Sequence, residues 1–163
     1  MKKVLRYLLA VVMIASFASC RKNTVISSDN AYATFETTGL GSELDGSMTV
    51  RAWGKGKDKA DALDQARKQA VYDVVFNGVK KGEGTYNGRP LIYEVNAKEK
   101  YEYYFNRLFA DNGEFEKYAT FADENRKARM VAKNKGIENW STIIRVERAK
   151  LKEKLIEDGI IKP

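Results

Sequence analysis

A chain of 163 residues with 44% hydrophobic and 31% charged residues carries about one domain's worth of material and is too apolar for a disordered protein. It has no His and a single Cys, which removes Ser–His–Asp and Cys–His catalysis, His-based metal sites and any intrachain disulfide. The net charge of +7 is partly an N-terminal effect: without Lys2, Lys3 and Arg6 the balance is 26 basic against 22 acidic residues, about +4, which suits anionic headgroups or cell-wall polymers and does not call for nucleic acid.

Residues 1 to 19 read as an export leader. Lys2, Lys3 and Arg6 give a positive start, Leu8 to Ile14 is an uninterrupted apolar run, and Ala15, Ser16, Ala18 and Ser19 are small. The apolar run is short of the roughly 20 residues a membrane span needs, so cleavage is expected rather than retention. Phe17-Ala18-Ser19-Cys20 resembles a bacterial lipobox, with Phe17 where Leu is usual. The resemblance implies a diacylglyceryl group on the Cys20 thiol, cleavage before that residue and acylation of the new amine. At about 0.8 kcal/mol per buried methylene, two or more chains would hold the protein on a membrane. Arg21 stands where, in the sorting logic of diderm bacteria, an Asp favours the inner membrane, and no acid precedes Asp29. The resemblance therefore implies an outer-membrane anchor with the domain facing the periplasm.

Residues 21 to 46 are polar, rich in Ser, Thr and Gly and without a sustained period, so they read as a tether with a short early strand at Tyr32 to Glu36. The expected division is a leader at 1–19, a lipidated Cys and tether at 20–46, and one domain at 47–163. From Ser47 to Trp53 the chain alternates, with Met48, Val50 and Ala52 on one face of a strand. Gly54-Lys55-Gly56 ends it, and Asp58 is placed to cap a helix that runs to Asn77 and stops before Gly78. Ala62, Ala66 and Ala70 recur every four residues, flanked by Leu63, Val71, Val74 and Val75. Such a stripe lets a helix sit close to a sheet.

Lys80 to Pro90 reads as a loop and Leu91-Ile92-Tyr93 as a short strand. A helix is expected at 97–110, a turn at Asp111-Asn112-Gly113, and a short helix at 114–121. Strands at 127–133 and 141–147 joined through 134–139 suit an antiparallel hairpin. A last helix at 147–158, with Leu151, Leu155 and Ile156 apolar, ends at Gly159. The fold class is α+β: a small, mainly antiparallel sheet (48–53, 127–133, 141–147), helices 59–77 and 147–158 packed on one face, and an aromatic helical lobe at 97–121.

Gly54-Lys55-Gly56 lacks the second Gly and Lys-Ser/Thr of a phosphate loop, and Lys59 occupies the third Gly of a dinucleotide fingerprint, so it reads as a tight turn. Asp58, Asp61 and Asp64 mark a solvated helix face, and no metal or cofactor is expected. Glu99, Glu102, Glu114 and Glu116 are numerous enough for a glycosidase-type pair, but no spacing selects one, and no catalytic residue is assigned. The densest local signal is aromatic: Tyr101, Tyr103, Tyr104, Phe105, Phe109, Phe115, Tyr118 and Phe121. One face must be core. The surplus, with Tyr103 foremost and Tyr104, Phe115 and Tyr118 beside it, is the candidate surface for a partner or a sugar ligand.

Val50-Arg51-Ala52-Trp53-Gly54-Lys55-Gly56 followed by Ala62, Ala66 and Ala70 resembles the strand–Gly-x-Gly–alanine-rich helix of small outer-membrane-associated lipoproteins and of the N-terminal domain of flagellar assembly protein T. Tyr101 to Asp111 and Leu155 to Gly159 are similar to small lipoproteins of Bacteroidetes. These resemblances imply a compact α+β domain, an envelope location and a non-enzymatic binding or assembly role with a protein partner. A glycan- or peptidoglycan-binding lipoprotein is the alternative, and a carboxylate-based hydrolase a weaker one.

Overall fold

The computed structural model describes residues 24–27, 35–80, 82, 87–122, 129–134 and 137–163, with 24–27, 133–134 and 137–138 described by their backbone alone. The leader, Cys20 and most of the expected early strand lie outside the described residues, while Phe35 and Glu36 at that strand's end are irregular. The fold is α+β. Strands β1 (Thr24–Ser27), β2 (Thr38–Ser42), β3 (Met48–Lys55), β4 (Ala119–Phe121), β5 (Met130–Asn134) and β6 (Ile137–Val146) form one sheet. Its order is β1-β5-β6-β3-β2, with β4 also paired to β6. All pairs are antiparallel except β1 with β5.

The alternation of β3 decides the two faces. Met48, Val50 and Ala52 are buried and sit opposite Val146, Ile144 and Thr142 of β6. Helix α1 (Lys59–Tyr72) lies across these two strands, burying Ala62, Leu63, Ala66, Ala70 and Val71. Asp58 caps it: its carboxylate accepts the Ala60 amide at 2.8 Å and the Asp61 amide at 3.0 Å. The close fit of strand to helix rests on the glycines. A Cβ on Gly54 would run into the Ala62 carbonyl oxygen and the Ala66 amide nitrogen, and one on Gly56 into the Ala62 amide. The glycine pair and the alanine stripe are therefore two halves of one packing device.

The helix continues to Asn77 as expected but widens into a π turn at Asp73–Asn77, and Gly78 closes it with φ +77°. Leu91-Ile92-Tyr93 is not a strand. The Leu91 and Ile92 amides instead donate to the Val74 and Val75 carbonyls at 3.0 Å each, so these groups are satisfied by the end of the helix rather than by the sheet.

The expected helix at 97–110 is two pieces, α2 (Ala97–Lys100) and α3 (Glu102–Leu108). Tyr101 kinks them without breaking the ladder, since its amide donates to Ala97 and its carbonyl accepts from Phe105. The segment at 114–121 is a 3₁₀ turn (Glu114–Tyr118) that passes into β4. The short β4 is selected by pairing: Ala119, Thr120 and Phe121 lie opposite Val146, Arg145 and Ile144. Helix α4 (Arg148–Glu157) buries Leu151 and Leu155 in the same cluster as Met48, Val50 and Val146.

The polar stretch read as a tether contributes β1 and β2 to the sheet, so ordered structure begins before Ser47. β2 pairs with β3 through an irregularity between Gly39 and Gly41. Its sequence, Thr-Gly-Leu-Gly-Ser, has no alternation to advertise a strand; the neighbouring edge of β3 supplies the order.

Candidate functional site

The four aromatic residues singled out from the sequence fall in different environments. Tyr103 on α3 is 83% exposed. Phe115 is fully buried, with the Arg67 guanidinium 5.5 Å and the Lys68 amine 5.5 Å from its ring centre. It belongs to the core and cannot serve as a surface residue, because the 3₁₀ turn points it beneath α1. Tyr104 and Tyr118 are half-buried and pack against the core. Burial first, then a hydrogen bond to Asp158, holds the Tyr104 hydroxyl far above the usual tyrosine range, and burial raises Tyr118 in the same direction. Asp158 is held low, chiefly by Lys154 at 2.7 Å. Neither phenol is poised to exchange a proton near neutrality. The four residues do not make a common surface; Tyr103 alone is freely presented. Cys20 lies outside the described residues.

The acidic residues on α1 are occupied in the fold. Asp58 is the cap, Asp61 accepts the Lys57 amide at 2.8 Å, and Asp64 pairs with Arg67 at 2.6 Å. Glu116 pairs with the same Arg67 nitrogen, Nη2, at 3.0 Å. Among the described residues no three His, Cys, Asp or Glu side chains group so as to hold a metal ion. No helix among them is long and apolar enough to cross a membrane.

Two recesses among the described residues bear on function. The smaller, about 290 Å³, is lined by Phe35, Glu36, Thr37, Gln69, Asp73, Asn77, Gly78 and Lys80. At its base Asp73 is 7% exposed. Its carboxylate accepts the Thr37 hydroxyl at 2.5 Å, the Gln69 amide at 3.0 Å and the Asn77 amide at 2.6 Å. Three neutral donors satisfy it, and through Thr37 it ties the approach to β2 onto the π turn. This is a structural lock.

The larger recess is a cleft of about 460 Å³ between the segment after the loop and the C-terminal residues. Leu91, Ile92, Ile160 and Ile161 give it an apolar floor; Tyr93, Glu94, Lys100, Tyr101, Lys152 and Lys162 contribute its polar and aromatic parts. Both walls are fixed by backbone chemistry. One hangs on the π-turn carbonyls, as described, and on Arg148, whose guanidinium donates to the Arg89 carbonyl at 3.1 Å. The other is the C-terminal stop of α4. There Gly159 has φ +71°, its amide donates to Ile156 and the Ile160 amide to Leu155, each at 2.9 Å, a Schellman closure that turns Ile160 and Ile161 toward the cleft. Glu94 is matched by Lys100 at 2.9 Å, which raises the Lys100 pKa. Lys152 and Lys162 have no ion-pair partner among the described residues.

The sequence does not announce this cleft. It is built from two segments about seventy residues apart, and each holds only an apolar doublet, Leu91-Ile92 and Ile160-Ile161. Those doublets, lying just outside the periodic part of any helix, were the available signal. No family model matches the chain, and no curated protein or solved structure proved similar to it.

Proposed function

We propose that this chain is a non-catalytic outer-membrane lipoprotein, anchored through Cys20 and facing the periplasm, whose domain is a binding or assembly module for an envelope protein partner. The observation that carries the binding role is the open cleft: an apolar floor without a cover, a rim of cations, and walls tied to the fold by backbone hydrogen bonds. The groups lining it are suited to holding a partner. Its one carboxylate side chain is engaged by Lys100, and no second carboxylate side chain lines the cleft to complete a proton-transfer pair. The address rests on the leader and on the lipobox-like Phe17-Ala18-Ser19-Cys20.

Cross-linking in intact cells followed by pull-down tests the reading. A defined envelope protein should be recovered reproducibly with this chain. Recovery of nothing beyond abundant porins would count against it. The glycan reading draws on Tyr93 and Tyr103, which are exposed enough to stack on sugar rings. Sedimentation with purified sacculi separates the two, since absence of co-sedimentation at low salt removes the glycan binder.

A further inference from the structure

We infer that the cleft between residues 91–94 and 159–163 is a docking site for a short peptide segment that is both apolar and acidic. The inference rests on the protein-partner reading above and adds the site and the partner's chemistry. Leu91, Ile92 and Ile160 belong to the hydrophobic core and are held in place by it, so the floor is preformed. At the rim, Tyr93 is 69% exposed, and Val95, one residue beyond the lining Glu94, is 92% exposed. Tyr93 and Val95 add exposed apolar surface next to an apolar recess, the combination expected of an interaction site.

Charge selects among apolar partners. Three lysines and one carboxylate side chain line the cleft, and Glu94 is already matched by Lys100. Lys152 and Lys162 form no ion pair among the described residues and stand beside an aliphatic floor. A basic segment would meet like charge. A neutral apolar one would cover lysines without answering them, at a desolvation cost. An acidic and apolar segment answers both features and is the electrostatically complementary occupant. A recess of about 460 Å³ has the size of a small-ligand pocket, enough for a few side chains of a segment and not for a folded face.

The test uses the full-length chain in zwitterionic phosphatidylcholine nanodiscs, with fluorescein-labelled short peptides of alternating Leu and Glu or alternating Leu and Lys. Anisotropy should show saturable binding of the Leu/Glu peptide, about tenfold or more tighter than the Leu/Lys peptide. The double variant Lys152→Glu/Lys162→Glu changes two exposed side chains, and its far-UV dichroism should match wild type. It should lose about tenfold or more in affinity for Leu/Glu and gain for Leu/Lys. Equal binding of the two peptides, or no effect of the reversal, overturns the inference. So does occupancy by oleate or soluble muropeptides that the Leu/Glu peptide fails to displace, or self-association abolished by the same reversal. A cellular partner retained at full yield by the reversed variant overturns the cleft assignment while the partner reading stands. Failure of the wild-type chain to retain any partner overturns that reading itself.

Discussion

Single residues separate the aromatic core from the aromatic surface. Phe115 and Tyr103 look alike in the sequence, yet one is enclosed and the other is in water. Phe115→Ala should destabilise the domain by about 3–5 kcal/mol in urea unfolding, as for a buried aromatic deleted from a packed core. Tyr103→Ala should stay within about 0.5 kcal/mol of wild type, the usual range for an exposed site. Asp73 is the other sensitive position. Asp73→Ala strands the Thr37, Gln69 and Asn77 donors and should destabilise by about 1–3 kcal/mol in the same measurement. Acid acts through a different carboxylate. The Ser47 hydroxyl and amide, with Arg145, hold Asp45 down from the ordinary 3.8 to about 2. A carboxylate lowered in the folded state stabilises fully above its unfolded value and loses that contribution as the pH falls through its folded value. The thermal midpoint should therefore drop between about pH 4 and 2, and Asp45→Asn should flatten that part of the profile.

Among the elements, those legible in the sequence are the ones whose order is local. β3 alternates, α1 has its Asp58 cap, alanine stripe and Gly78 stop, and α4 ends at Gly159; each carries its own signal. What stayed hidden depends on a neighbour. Thr38–Ser42 is a strand because β3 offers an open edge, Ala119–Phe121 because β6 extends past β5, and Leu91 and Ile92 follow the π turn because its carbonyls need donors. The aromatic surplus was legible as composition, but a count of rings does not say which ring the 3₁₀ turn buries. The strand-to-helix device yields a sharp expectation. Gly54→Ala places a Cβ against helix backbone, which cannot yield as a side-chain tip can. It should destabilise by more than about 3 kcal/mol, beyond the usual range for overpacking, or prevent folding, seen as loss of the cooperative thermal transition. Gly41→Ala, in open space, should not.

At the scale of the whole molecule, the proposed protein is an anchor joined to a binding domain. Its anchor half is tested by Cys20→Ala, which should abolish metabolic labelling by palmitate and leave unprocessed precursor. Protease added to intact cells should spare the domain, and digestion without lysis would place it on the outer surface instead. The binding half rests on where apolar surface is left uncovered, at Tyr93 and Val95 beside the cleft. The most direct measurement places a photo-reactive amino acid at position 93 in living cells, with position 103 as the comparison. One discrete adduct is expected from position 93, identified as the envelope protein recovered by pull-down. No adduct from either position, or adducts with abundant porins alone, would contradict the binding role.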